Sequence, residues 1–548
     1  MRLAPLLQRC SVIAALALAA GCAPLPSRHA VIGTPAYTPA YTPAHMPGYT
    51  PSPAAQAAVQ SLPDAALTAQ QRQQWLDRVS WGTNDVADAE LQRLGLKTWL
   101  AQQLRPNLAP LPGAAQQRID ALEISQRPMS AIVQELTAQR QSVQQAASPE
   151  DKAQRQQDYQ RHLNQLAADA QRRFVLRALY SPAQLQEQLT WFWLNHFSVN
   201  LRKADIRAWV GDYEEQAIRP HALGSFRQLL AATLRHPAML RYLDNASNAA
   251  GHINENYARE LLELHTMGVG SGYTQADVQE LARILTGVGL DLRPPDAPPP
   301  RVRPQLRADY RRAGFFEFNP NRHDYGPKVF LGQPMHARGM GEVDEALDRI
   351  VAAPATAQFI AHKLAVFFIA DEPPPALVQR TAQAFARSHG DIAATVATLL
   401  TDPEAARFGQ KFRDPLHYVL AATRLSLNDQ VAANVTPVLG WINRLGEMQY
   451  GHETPNGYPA TQSDWDSSGQ MTARFDVARQ IATRSAVLLR ADPQEPLAQP
   501  PYTALSALAC VRQRLPYWSQ ATQATLAQTK NPADWNTYFL SAPEMMYR

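Results

Sequence analysis

From about residue 64 onward the chain is punctuated by helix starts and carries few strand signals, which confines it to a mainly α-helical fold, a large multi-helix domain. Ser148-Pro149-Glu150-Asp151 puts a capping hydroxyl, a first-turn proline and two acids where the free N–H groups of a helix need them. Ser181-Pro182 is expected to repeat that device. Ser225 with Gln228, and Thr274 with Asp277, have capping-box spacing or its Asp variant, and Gly268 and Gly287 stand where those helices should stop. The best strand signal, residues 328–331 followed by Gly332-Gln333-Pro334, predicts a small β-hairpin. Prolines between 294 and 300, followed by Arg301, Arg303, Arg307, Arg311 and Arg312, mark the main internal loop, where two lobes would part, near 290–315. Its arginines read as a solvated surface, with an anionic glycan or lipid headgroup as the alternative contact.

The N-terminus has the layout of a signal peptide: Met1, Arg2 and Arg9 are positive, and the apolar residues 11–20 fall well short of the roughly 20 that span a bilayer. The ending Leu18-Ala19-Ala20-Gly21-Cys22 resembles a lipobox. Residues 1–21 are therefore expected to be removed and the thiol of Cys22 to be lipidated, with palmitate-type acyl chains giving a stable membrane anchor. The alternative is an ordinary secretory signal with an incidental cysteine. Ala23 after the cysteine resembles lipoproteins forwarded to the outer membrane, facing the periplasm or the cell surface. Thr34-Pro35-Ala36-Tyr37 is echoed by Thr38-Pro39-Ala40-Tyr41, and residues 22–57 are read as an extended proline-rich tether ahead of a helical body spanning 58–548.

With 45% hydrophobic residues in 548, the body has material for a sizeable core. Loss of Arg2 and Arg9 with the signal lowers the formal charge from +4 to +2, which gives no support for nucleic-acid binding. Of the three cysteines only Cys510 would remain free in the mature chain, so stability must come from packing rather than a disulfide.

No Gly-rich phosphate loop, His-Glu-x-x-His helix, Cys-x-x-Cys pair or Gly-x-Ser-x-Gly elbow occurs, and no cofactor is identified. Gly268-Val269-Gly270-Ser271-Gly272 lacks the elbow's spacing and reads as a helix stop and turn. Three polar clusters stand out: residues 191–197, with Asn195-His196; residues 236–261, with Asn254-Glu255-Asn256-Tyr257-Ala258-Arg259-Glu260; and His323-Asp324-Tyr325-Gly326-Pro327-Lys328. Together with Arg78-Val79-Ser80-Trp81-Gly82, Gly272-Tyr273-Thr274 and Ser541-Ala542-Pro543-Glu544, they resemble the bacterial domain-of-unknown-function family 1800, from about residue 70 to the C-terminus. The resemblance implies a large, mainly helical exported protein, often encoded beside an alkaline-phosphatase-like partner, and supplies no established reaction. Val288 and Trp81 depart from the tryptophan and phenylalanine usual in that family.

Helical spacing of Leu185, Leu189, Phe192, Trp193 and His196 turns His196 into the core, as a satisfied histidine or as a ligand or proton carrier. Asn195 lies off that stripe and is a candidate for binding a sugar or for bridging nearby backbone. Glu255 and Arg259, one turn apart, are expected to pair, either as a structural clamp or to orient a substrate carboxylate or phosphate. Glu260 faces elsewhere and is a candidate general base. His323 and Asp324 sit in a proline- and glycine-bounded loop, where they are candidates for proton transfer or for two ligands to a divalent metal completed by His196, Glu255 or Glu260. The plain alternative is a turn in which Asp324 caps backbone N–H groups. Two classes of function remain: an envelope binding or assembly factor for a partner protein or surface polymer, ranked first, and an envelope hydrolase acting on glycan or phosphoester substrates through the His/Asp/Glu/Arg cluster.

Overall fold

Ser148 accepts a hydrogen bond from the Asp151 N–H at 3.1 Å and opens the helix Pro149–Tyr180. Thr274 and Asp277 form a reciprocal capping box at the head of the helix Gln275–Ile284. The other two start signals act differently. Ser181 closes the Pro149–Tyr180 helix, its hydroxyl accepts from the Ala183 N–H at 3.2 Å, and the next helix begins only at Gln184. Ser225 precedes Phe226–Arg235 without a side-chain cap, because the adjoining backbone is bridged instead to the 390–391 segment, with the Phe226 N–H donating to the Gly390 carbonyl at 2.8 Å.

The computed structural model describes residues 52–105, 110–407, 411–492 and 494–548, and Cys22 lies outside them. Within them the fold is mainly helical, with a few short strands. At its centre is the helix Gln184–His196, in which every residue except Asn195 is buried. Its large apolar side chains, Leu185, Leu189, Phe192 and Trp193 among them, each stabilise by about 1.5–3 kcal/mol on burial, and its buried polar ones are bonded, as Gln186 is to the Arg219 carbonyl and Glu187 to the Arg219 guanidinium. Met340–Ala352 and Pro354–Phe368, bent by 64°, add Leu347, Ile350, Ile360 and Leu364 to that core. Among the described residues no single helix is long and apolar enough to cross a membrane.

The expected hairpin is present: β4 (Val329–Phe330) pairs antiparallel with β5 (Gln333–Pro334) through Leu331 and Gly332, both at positive φ. A second, unforeseen sheet has the antiparallel order β1-β3-β2, from β1 (Val288–Leu290), β2 (Arg311–Ala313) and β3 (Phe316–Phe318). It ties the two ends of the proline- and arginine-rich segment together. Gly287 leads into it at φ +80, where a Cβ would stand 2.7 Å from the Asn319 carbonyl oxygen, so only glycine fits. Residues on both sides of 290–315, Leu285 and Phe318 among them, belong to one continuous apolar core.

Residues 53–57, expected to close an extended tether, are helical instead, and the expected tether before Ser52 and the signal peptide lie outside the described residues. Ser52 caps a helix Pro53–Gln60, with proline in its first turn, and Ala55 and Val59 are buried against the helix Ile392–Thr401 and its surroundings. Cys510 is buried with a free thiol.

Candidate functional site

The polar residues singled out by sequence go to separate places. His196 is inside the core: its Nε2 lies 2.9 Å from the His265 carbonyl, and its ring packs on Phe192, Phe197 and His265. Burial and the nearby Lys363 hold its proton affinity well below the usual range. Glu255 and Arg259 pair at 3.1 Å on the half-exposed side of the helix Asn256–Glu263. Arg259 also meets Glu263 at 3.3 Å, and Gln275 bonds both members of the pair at 2.9 and 2.8 Å. Glu260 is half-buried, and burial with the neighbouring Glu263 pushes its carboxyl upward.

His323 and Asp324 take different partners although adjacent. The His323 side chain is fully enclosed, with Nδ1 2.8 Å from the Thr286 carbonyl and Nε2 3.5 Å from Glu342. Glu342 in turn pairs with the buried Lys328 at 2.7 Å, and Lys328 also donates to the carbonyls of Asp324 and Gly326. Burial pushes the Glu342 carboxyl up, but His323 and Lys328 outweigh it and hold it below the usual range. Asp324 pairs with Arg283 at 2.8 Å and caps the Gly326 N–H at 2.8 Å, and chiefly through Arg283 its carboxyl is pulled down to about 2.

Gln275 and Arg283 stand on one helix eight residues apart, so the Glu255–Arg259 pair and Asp324 are anchored about 12 Å apart along its axis. The structure does not bring these two pairs together. Among the described residues no three-donor cluster includes His323 or Asp324. Glu123, Glu135 and His162 do form one, with donor atoms within 4.8 Å, but Arg127 already bridges both acids at 2.6 and 2.5 Å.

What sequence reading missed is a loop over residues 447–458 on which several motif residues converge. Asn195 bonds the Tyr458 backbone through both amide atoms, Asn200 donates to the His452 carbonyl at 2.8 Å, and the Tyr242 hydroxyl donates to the Glu453 carbonyl at 2.8 Å. The Tyr450 hydroxyl reaches Glu214 at 2.6 Å. Glu214 and Glu215 lie on a π-helical turn, Tyr213–Ile218, and Arg177 grips Glu215 through two bonds at 2.5 and 2.6 Å. Such turns recur at functional sites. A readable signal was present in Pro455-Asn456-Gly457-Tyr458-Pro459, a dense run of turn residues.

At the start of this loop lies a buried line of proton-carrying groups. Asp414 caps the helix Pro415–Leu427 and bonds His417 Nδ1 at 2.7 Å, while His417 Nε2 faces the Gln188 amide oxygen at 2.8 Å. Gln188 is itself oriented by donating to the Ser80 carbonyl at 2.7 Å, and Trp81 packs on the His417 ring with centroids 4.5 Å apart. Burial raises the Asp414 carboxyl, but His417 and Arg548 more than offset this and hold it low. Burial and Arg548 draw His417 down to about 4, against the pull of Asp414. At neutral pH the ring therefore carries fewer protons than its two flanking acceptors can take. Glu447, pushed well above the carboxyl range by burial and by the Asp414 charge, holds one. The line Glu447–Asp414–His417 can accept or pass a proton, although His417 is only 2% exposed. Asp414-Pro415-Leu416-His417 was legible as a helix cap; its tertiary partner Glu447 was not.

Two surface cavities of about 350 and 410 Å³ are lined by Tyr159, Gln160, Asp205 and Arg241, and by Ala58, Arg387, Thr398 and Asp402, respectively. None of the sequence candidates lines either one. Comparison with curated proteins and with solved structures gives no match. The family described as "Protein of unknown function (DUF1800)" matches residues 74–547, a stretch that includes the Asn195 loop clamp, the Glu255–Arg259 pair, the His323 cluster and the buried Asp414–His417 line. The chain belongs to that family.

Proposed function

We propose that this chain is a cell-envelope binding or assembly factor, tethered through acylated Cys22, that engages a partner protein or surface polymer through its helical body. The observation that carries this reading is the dispersal of the polar candidates, each held by partners from its own chain. Asn195 fastens a loop, His196 fills the core, and Asp324 and Arg259 are anchored at opposite ends of one helix. By family resemblance the partner to test is the alkaline-phosphatase-like protein. Co-expressed with the full chain, it is expected to co-elute in fixed stoichiometry by size exclusion with light scattering; separate elution at micromolar concentration overturns that pairing. Fatty-acid labelling tests the tether, since Cys22→Ala should lose label that the natural chain incorporates.

The Glu447–Asp414–His417 line favours a second reading, an envelope hydrolase of glycan or phosphoester substrates, because general acid–base catalysis needs a proton donor and acceptor held together. Turnover of p-nitrophenyl phosphate or an aminosugar oligomer, lost in a folded Asp414→Asn variant, would support it. If the natural protein turns over neither compound, that reading falls.

A further inference from the structure

The segment between β1 and β2 engages its acids locally and leaves its arginines outside. Asp291 pairs with Arg293 at 2.7 Å and Arg312 at 3.2 Å, and Asp309 accepts from the Tyr325 hydroxyl at 2.8 Å and lies 3.4 Å from Arg338. Val302 and Leu306 are buried and pin the segment to the body. Asn321 fastens its backbone, accepting from the Arg303 N–H at 3.1 Å and donating to the Arg301 carbonyl at 2.9 Å. At the surface this leaves Arg301, Arg303, Arg307 and Arg311, all exposed.

Among the described residues none of these four forms an ion pair. Arg303 bonds the Asn321 side-chain oxygen at 3.2 Å, Arg311 bonds the Ala308 and Tyr310 carbonyls at 2.5 and 2.9 Å, and the guanidiniums of Arg301 and Arg307 carry no hydrogen bond. Of the segment's own acids, Asp291, Asp296 and Asp309, only Asp296 is exposed. A single arginine without a counter-charge is ordinary on a surface. Four crowded into one pinned segment repel one another, and that field is relieved by an external anion.

We propose that these four exposed arginines dock onto the phosphate headgroups of an anionic bilayer. A guanidinium presents a planar fork that matches phosphate oxygens. The four arginines are spread along residues 301–311 and all are exposed, which suits a broad surface carrying many phosphates better than one small ligand. The segment's apolar residues Val302 and Leu306 point inward, so the contact is electrostatic and leaves the hydrocarbon untouched. This inference goes beyond partner binding and rests on the envelope-tether reading only for bringing the body to a bilayer.

The test is vesicle co-sedimentation of the full chain, comparing phosphatidylcholine vesicles with phosphatidylcholine–phosphatidylglycerol vesicles at low and high salt. Any uncharged insertion by the N-terminal segment is common to both vesicles and cancels in the comparison. The natural chain is expected to partition at least tenfold better onto the anionic vesicles at low salt, with the difference lost at high salt, since salt screens the attraction of basic side chains to such a surface. Combined Arg301→Gln, Arg303→Gln, Arg307→Gln and Arg311→Gln should remove that preference with an unchanged melting curve, and the matching Arg→Lys set should keep most of it. A control with the same charge change at the exposed Arg93, Arg387, Arg479 and Arg484 should retain it. Equal loss in the control, no anionic preference in the natural chain, or stronger loss of heparin retention than of vesicle binding in the Gln set would each overturn the proposal, the last in favour of a soluble polyanion.

Discussion

Asn195 and Tyr458 exchange two hydrogen bonds: the Asn195 amide donates to the Tyr458 carbonyl at 2.9 Å, and the Tyr458 N–H donates to the Asn195 side-chain oxygen at 2.7 Å. Asn195 is the one residue of the central helix Gln184–His196 that is not buried, and its amide is matched to peptide groups from a loop far along the chain. The approach is close enough to dictate the neighbouring residue. A Cβ on Gly457, which sits at φ +74, would fall 2.1 Å from the Asn195 carbonyl oxygen.

Gly457→Ala should therefore destabilise strongly, by about 3 kcal/mol or more, because left-handed strain adds to a clash between backbones. Asn195→Ala removes both bonds and leaves peptide groups unsatisfied, an effect of about 1–3 kcal/mol. Denaturant titration of both variants checks this. Melts indistinguishable from the natural protein would show that the loop is not clamped at this point.

The helices were legible where the signal is local chemistry. Ser148 and Thr274 cap as their sequences predict, because a hydroxyl and the N–H groups it serves lie within one turn. Ser181 misleads for the same reason: a Ser-Pro pair also suits the end of a helix, and only the conformation at Ala183 decides. The β1-β3-β2 sheet was not legible, since three-residue strands are too short to show alternation and β1 pairs across the whole proline-rich segment. Charges were the least legible feature. Lysine and glutamate are rarely buried unless paired, and nothing local reveals that Lys328 and Glu342 meet inside the fold.

That buried pair gives a sharper test of the His323 cluster. Lys328→Met strands the Glu342 carboxylate and Glu342→Leu strands the Lys328 ammonium, and each should lower stability by about 3–5 kcal/mol. The combined Lys328→Met, Glu342→Leu variant should lose much less than the sum of the two. A double-mutant cycle with additive losses would show that the two groups do not act as a pair.

Glu255→Gln should behave differently, because Glu255 and Arg259 are both about one-third exposed and Gln275 and Glu263 remain to hold the arginine. The expected loss is below about 1 kcal/mol and shrinks with added salt. A large, salt-independent fall in melting temperature would mean that the pair clamps the fold more tightly than its exposure implies.

Stability should fall as the solution is acidified through the histidine range. His265 is fully buried, neither ring nitrogen has a hydrogen-bond partner among the described residues, and burial together with Lys363 pushes it down to about 3. His196, packed beside it, is driven in the same direction. In the unfolded chain both titrate near 6.5. Between that value and the folded one, the unfolded state binds more protons, so the contribution is fully present above about pH 6.5 and is lost progressively as pH falls toward 3. Each pH unit over which the two states differ by one proton changes stability by about 1.4 kcal/mol. Melting temperatures recorded from pH 7.5 to 4 should therefore decline, and His265→Leu, which keeps an apolar group in place but cannot titrate, should flatten the decline. A variant whose pH profile is parallel to that of the natural protein would show that His265 takes up no proton on unfolding that it lacked when folded.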